Sequence, residues 1–402
     1  MDANHPTLSS VKSNIFHYIA QRVDTSKEEI QQSLKLSSST AARLIQEMIE
    51  QGVIIQSGLG PSKGGRRPLL YNINSHCSYI VGIEVSRFYA TVGLFDLTLN
   101  AKSLTRWRMD SSMKPDVFID TVYQTIVTYC KDHQITKNQI IGIGIGSIGP
   151  LDRRNGVIID PVYFPAEGWN QLEITTLIEE ITGLPTFLDN GIDCAAIGEQ
   201  FSFRKQNIEA DHLLYISAGV GLRSAMISGG RLVQGIYDRE GAFGEMIIKA
   251  GDQPILKQGR AGALENYVSI PALVEQYKIQ YRLGRTGFKS GDQHTIVESN
   301  IDFDFLVREL RNNNELVIEL FNQSAVYLGI GIANLINTFQ PNKVIIGGAL
   351  ISSFKPYSDI VASIAKKYTY HSSAYKVQFI EGILLEDAVA TGAALLARNK
   401  LF

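Results

Sequence analysis

The stretch from Leu36 to Arg67 limits what this chain can fold into more than any other. Ala41, Leu44, Ile45, Met48 and Ile49 recur at three- and four-residue spacing, the apolar stripe of an amphipathic helix. Ser37 stands where a hydroxyl can accept a bond from an unpaired first-turn amide, and Gly52 follows the last turn as a C-cap. The other face, near the N-terminus, carries Ser38, Ser39, Thr40, Ala42 and Arg43. A helix with a small polar tip can enter a major groove and offer hydroxyls and a guanidinium to bases and phosphates. Taken alone, such a helix is more simply a solvated surface helix; its neighbours change the reading.

Thr25 and Glu28 fit a capping box ahead of a second helix that runs through Ile30 and Leu34. Val11, Ile15 and Ile19 mark an earlier one between Val11 and Gln21. Three short helices with a tight turn between the last two predict a helix-turn-helix. Val53–Ile55 and Leu69–Ile73 then predict two strands around a loop, Gly58 to Gly65, with Lys63, Arg66 and Arg67 at its end. That is the pattern of a wing, whose glycines allow close approach and whose arginines suit a narrow minor groove. Ser38, Ser39, Thr40, Arg43, Lys63, Arg66 and Arg67 are therefore the candidate DNA contacts.

Charge agrees only weakly. The 402 residues carry a net −2, divided as +2 over residues 1–72 and −4 over the rest. Such a bias permits a DNA-binding head on an acidic body without demanding one. Cys77, Cys130 and Cys194 lie too far apart to suggest a disulfide framework or a zinc knuckle. The sequence shows no signal-peptide pattern and no apolar run approaching membrane-spanning length, so a cytoplasmic protein without a membrane partner is expected.

From Tyr79 the texture is α/β. Ile80–Val85 and Tyr89–Asp96 predict consecutive strands, Val117–Lys131 a helix, and Ile140–Gly146 a buried strand that Gly149-Pro150 ends. A helix over Leu172–Thr182, a strand over Pro185–Leu188 and the segment Asp189–Glu199 follow. The second half repeats the logic with Leu213–Ser217, the turn Gly219-Val220-Gly221, Ala225–Ser228 and the strand Lys343–Gly348. Two α/β halves, each opening on a hairpin near a Gly-rich turn, fit an actin-like fold of the sugar-kinase kind.

The Gly64-Gly65-Arg66-Arg67-Pro68 wing, the strand ending at Gly149-Pro150, Trp169, the Asn190–Glu199 segment, Gly244-Glu245 and Gly347-Gly348 occur in the order found in the ROK family (repressors, open reading frames and kinases). The chain resembles that family nearly end to end, in its repressor branch. The resemblance implies a winged helix-turn-helix over 1–75 and a two-lobed actin-like body over 76–402. Lobe one would comprise 76–188 plus 384–402, and lobe two 189–383. Members with the head bind operator DNA and respond to a sugar; members without it phosphorylate sugars with ATP.

Departures from the pattern bear on activity. The kinases carry Asn-Asp where this chain has Asn190-Gly191, and glycine cannot act as the general base. Their first phosphate loop, Asp-x-Gly-Gly-Thr, is here Glu84-Val85-Ser86-Arg87-Phe88; the second is Gly219-Val220-Gly221-Leu222-Arg223. No catalytic residue and no ATP are expected. The family's zinc ligands are replaced by Ile248, Leu256, Gln258 and Ala263, so no zinc is expected, and Ile247 and Ile248 would hold the loop by apolar packing.

Asn190, Glu245 and Glu265 stand where the family hydrogen-bonds sugar hydroxyls. One alternative is a pocket for a different or modified sugar or a sugar phosphate. The other is a relict pocket whose glutamates bond Arg260 or backbone amides. The expected function is a DNA-binding regulator of carbohydrate use, most simply a repressor, acting on operator DNA as a homodimer or homotetramer through the helical region Leu306–Leu335. An active ROK sugar kinase with an accessory DNA-binding head, and a constitutive DNA-binding protein, are the alternatives.

Overall fold

The computed structural model describes residues 10–22, 24–62, 67–235, 241–256, 259–288, 297–371 and 373–402. The chain divides into two compact units, Met1–Glu209 with Glu386–Phe402, and Ala210–Leu385. The first opens with α1 (Ser10–Ala20), β1 (Thr25–Ser26), α2 (Lys27–Ser33), α3 (Ser38–Glu50), β2 (Ile54–Leu59) and β3 (Leu69–Ile73). Ser26, not Thr25, caps α2: its hydroxyl accepts from Glu29 N, and the Glu29 carboxylate accepts from Ser26 N at 2.7 Å. The shift has a cause in the sheet, because Thr25 and Ser26 pair with Tyr71 and Leu70. Ser37 caps α3 by accepting from Thr40 N at 3.1 Å, and Gly52 takes the left-handed conformation after the last turn.

The same unit continues with β4 (Tyr79–Val85), β5 (Tyr89–Asp96), β6 (Ala101–Arg108), α4 (Pro115–Asp132), β7 (Ile140–Ser147), the hairpin β8 (Leu151–Asp152) and β9 (Val157–Ile158), α5 (Ile174–Thr182), β10 (Thr186–Asn190) and α6 (Gly191–Lys205). The strand order is β10-β7-β4-β5-β6, with β4, β7 and β10 parallel and β5 antiparallel to its neighbours. β6 has no counterpart in the strands expected from sequence. Val81, Ile83, Val92, Ile143 and Ile145 pack with α4 and α5 residues such as Phe118 and Ile178 in one apolar cluster.

The second unit holds β11 (Leu213–Ala218), β12 (Leu222–Ser228), β13 (Arg231–Leu232), α7 (Glu265–Val268), α8 (Ile270–Arg282), α9 (Phe303–Arg311), α10 (Glu315–Phe339), β14 (Lys343–Gly347), α11 (Ala349–Ser353), α12 (Tyr357–Tyr368) and β15 (Gln378–Ile380). Its sheet order is β13-β12-β11-β14-β15. α10 is long and apolar enough to cross a membrane, contrary to the expectation that nothing in the chain comes near that length. It serves as the core of this unit instead. Phe321, Ala325, Leu328 and Ile332 on it are fully buried, and Ser324 shares a 2.8 Å bond with the Tyr357 hydroxyl.

The chain returns to the first unit as α13 (Ala388–Leu401), which lies on the sheet face opposite α4. A Cβ on Gly144 would sit 1.8 Å from Ala393 O, and one on Gly82 would sit 2.0 Å from Ala390 O. Gly392 answers on the helix side, where a Cβ would come within 1.7 Å of Cys194 O on α6. The boundary expected between 188 and 189 therefore falls after Glu209: β10 completes the first sheet and α6 packs along α13. The far end of α13 carries the head. Phe402 stacks on Phe16 of α1 at 4.2 Å, and the buried Arg398 lies over the Phe16 and Phe201 rings while donating to Leu97 O. Head and sheet face thus share one apolar cluster, which includes Ile15, Met48, Phe95 and Leu395.

Candidate functional site

In the head, Ser38, Ser39, Ala42 and Arg43 are exposed along the start and outer face of α3, with Thr40 half-buried beside them. The hydroxyls are already organised. Ser37 Oγ lies 3.1 Å from Ser39 Oγ and 2.8 Å from Thr40 Oγ1, and Lys27 Nζ of α2 donates to Ser38 Oγ at 3.3 Å. Arg43 pairs with Glu47 one turn along the helix. Arg67 does not reach outward as a free guanidinium: Nε donates to Gly60 O at 2.9 Å and Nη2 to Leu59 O at 3.1 Å, bracing the end of β2. Lys63 and Arg66, the other expected wing contacts, lie outside the described residues.

In the body of the first unit, Asn190 ends β10 and caps α6, its Oδ1 accepting from Ile192 N at 3.3 Å. Gly191 is the first residue of that helix. Asp189 and Asp193 flank it, and Arg153 joins them, with Nε 2.6 Å from Asp189 Oδ1 and Nη2 2.5 Å from Asp193 Oδ2. Nothing in local spacing marks Arg153 as their partner, since the fold brings it from the β8–β9 hairpin. The turn after β4 closes on itself. Ser86 Oγ accepts from Phe88 N at 3.4 Å and Tyr89 N at 3.2 Å, and donates to Tyr89 O. Those amides are committed within the turn, and Phe88 is exposed. Glu84 is buried behind the turn, accepting from Thr91 Oγ1 at 3.2 Å; burial raises its carboxyl pKa to about 8. Arg106 donates to Thr91 Oγ1 and binds Glu386 and Asp387, where the chain re-enters this unit.

In the second unit, Glu265 opens α7 and its Oε2 accepts from Leu222 N at 3.1 Å, which engages an amide of the second loop. A Cβ on Gly244 would sit 2.7 Å from the same oxygen, so Gly244-Glu245 passes directly beside Glu265. Glu245 Oε2 stands 3.3 Å from Arg260 Nε. The structure thus gathers Glu245 and Glu265 in one unit, each with a protein partner, and sets Asn190 in the other.

The segment expected to lack zinc is held by bonds that sequence reasoning missed. Ile247 pairs with Ala263, and Ile248 N donates to Gly262 O at 2.9 Å. Asn266, buried, accepts from Leu256 N at 3.4 Å and donates to Arg260 O, joining both ends of the loop. Tyr267 donates to Asp252, which also pairs with Lys249. Ile248 packs on the core, but Ile247 is half exposed, so apolar packing accounts for only part of the expected support. Gln258 lies outside the described residues. No group of three or more His, Cys, Asp or Glu with metal-binding geometry occurs among the described residues.

A ROK family profile matches residues 80–400. The chain is 27% identical over 345 residues to a putative xylose repressor of Caldicellulosiruptor sp. (strain Rt8B.4), covering 86% of this chain and 84% of that one. A solved ROK family transcriptional regulator, a homologue of the E. coli MLC protein, superposes with a TM-score of 0.75 at 20% identity, covering 97% of this chain and 95% of its own. The ROK hexokinase from Thermus thermophilus superposes at 0.62 with 23% identity, covering 79% and 97%. Matched over most of its length by one family profile, the chain belongs to the ROK family.

Proposed function

We propose that this chain is a DNA-binding transcriptional repressor of carbohydrate-use genes, whose kinase-like body senses a sugar or sugar derivative without phosphorylating it. α1 to α3 with β2 and β3 form a winged helix-turn-helix head, and α3 is the helix that enters the major groove. The observation that carries the reading is the state of the kinase centre. Position 191 has no base, and the amides of Phe88, Tyr89 and Leu222 are satisfied within the chain. A nucleotide phosphate needs such amides unspent. The relatives point the same way, since one is named a putative xylose repressor and another a transcriptional regulator.

In this reading the chain needs neither zinc nor ATP, and Asn266 does the bridging in the loop that a metal would otherwise hold. A homodimer or homotetramer in the cytoplasm presents two heads to half-sites about one helical turn apart, or a multiple of it. α13 offers the coupling path. Val389 near its start lies beside position 191, and Phe402 at its end stacks on the head. Effector binding that shifts this helix by a fraction of an ångström moves the head with it, and a coupling of about 1–3 kcal/mol suffices for regulation.

Thermal unfolding of the full chain against sugars, sugar phosphates and ATP tests the reading. A ligand at 100 times its Kd adds about 2.7 kcal/mol. The expected result is a midpoint shift with a sugar or sugar phosphate and none with ATP, and the same compound changes the affinity for operator DNA. An ATP shift accompanied by sugar phosphorylation overturns the proposal in favour of a kinase with an accessory head.

A further inference from the structure

Arg43 is the one cation on the outer face of α3, and its guanidinium is not left to wander. Glu47 Oε1 holds Arg43 Nη1 at 2.5 Å, while Glu47 Oε2 holds Lys12 Nζ of α1 at 2.8 Å. Lys12 is largely buried, with 13% of its side chain exposed, and its Nζ also reaches Gln51 Oε1 at 3.5 Å. The carboxylate is therefore anchored from behind by a lysine that is itself held between two partners. Its second oxygen faces outward to an arginine whose side chain is 64% exposed. Lys12 and Arg43 together hold Glu47 below the usual carboxylate range, so it stays ionised.

A guanidinium has five N–H donors, and one salt bridge leaves an edge free. A base edge of guanine asks for two parallel donors in a fixed plane. A loose arginine, by contrast, satisfies any nearby phosphate. The Lys12–Glu47–Arg43 chain restricts where the free edge of that guanidinium points and offsets the charge that would otherwise favour phosphate indiscriminately. Resting on the DNA-binding reading above, we propose that Glu47 is a positioning residue that turns Arg43 from a general phosphate contact into a base-reading one. The carboxylate touches no base itself; it acts through Arg43.

The test uses the full-length protein and two duplexes: one that the wild type enriches from a randomised pool, and a scrambled duplex of equal length. Glu47→Gln should lower the ratio of the two affinities by about tenfold, the low end of what one bidentate base contact discriminates. On the scrambled duplex, the slope of log Kd against log salt should steepen by about one as Arg43 takes a phosphate. In an Arg43→Ala background the same change should do neither. Glu50→Gln removes an equal charge from the same helix, where Glu50 bonds the uncharged Gln46, and should leave the ratio unchanged. Glu47→Asp keeps the charge on a shorter side chain and should retain part of the selectivity. Equal weakening on both duplexes, persistence of the effect without Arg43, or an identical effect from Glu50→Gln would each overturn the inference. A wild type that enriches no duplex would overturn the DNA-binding reading beneath it, a separate outcome.

Discussion

A Cβ at position 191 would meet no obstacle. A Cβ there lies 3.5 Å from Ser147 O and 3.6 Å from Val389 Cγ1, ordinary contacts, and the backbone is not left-handed. Gly191→Asp should therefore fold, with stability within about 1 kcal/mol of the parent, since a first-turn acid gains from the helix dipole while Asp189 and Asp193 repel it. A restored base alone commonly supplies about 10² to 10⁴ in rate, yet here the phosphate amides stay bound to Ser86 and Glu265. The expected outcome in a coupled assay with ATP and a sugar panel is no turnover above the parent. Turnover from this single change would show that the loops open for nucleotide. The glycine at position 191 was plain in the sequence. The Ser86 hydroxyl on the first pair of amides was not; a glutamate on a backbone amide was one of the two alternatives, but its partner Leu222 lies in a distant segment that spacing does not identify.

The glycines of β7 teach a lesson about elements. Gly142-Ile143-Gly144-Ile145-Gly146 alternates at the period of a strand, with Ile143 and Ile145 on the α4–α5 face and the glycines on the other. Read alone, those glycines suggest a turn about to begin. In the fold they are the bed on which α13 lies. Gly144→Ala should cost about 3 kcal/mol, toward the upper end of overpacking, because the obstacle is the Ala393 carbonyl rather than a movable side chain. Gly58→Ala, where nothing lies within 4 Å, should stay within about 0.5 kcal/mol. Urea unfolding of both variants checks the contrast; equal midpoints would mean that α13 is not seated on the sheet. β6 leaves no strand signature in the sequence for a related reason. Both of its faces are largely open, and Lys102, Arg106 and Arg108 break the apolar alternation, as suits an edge strand.

At the scale of the whole molecule, a half-buried histidine and a buried glutamate set opposing pH responses. Burial, with Arg398 nearby, lowers His17 to about 4, so the unfolded chain binds more protons there between pH 4 and its ordinary 6.5. Stability from neutral His17 is present above that window and lost as pH falls through it. Glu84, raised to about 8 by burial, binds its proton more tightly in the folded chain. Its contribution is full below the ordinary 4.5 and lost as pH rises through 8. Thermal midpoints across pH 4 to 9 should show Glu84→Gln relieving the loss on the alkaline side and His17→Phe relieving the loss on the acid side. A Glu84→Gln profile parallel to the wild type would refute the buried acid.

Much of this protein follows from spacing along the chain. The helices and capping serine of the head and most strands of both sheets rest on residues close together in sequence, where a period of two or 3.6 leaves a direct record, while the family rests on short motifs that keep their order along the chain. Packing between distant segments leaves no such record. The joining of the head to α13 through Phe16 and Phe402, and the unit boundary after Glu209, belong to that second kind. So do the Arg153 bridge across Asp189 and Asp193 and the Asn266 tie between Leu256 and Arg260. Each depends on two groups brought within a few ångströms by a fold that many other sequences could also adopt.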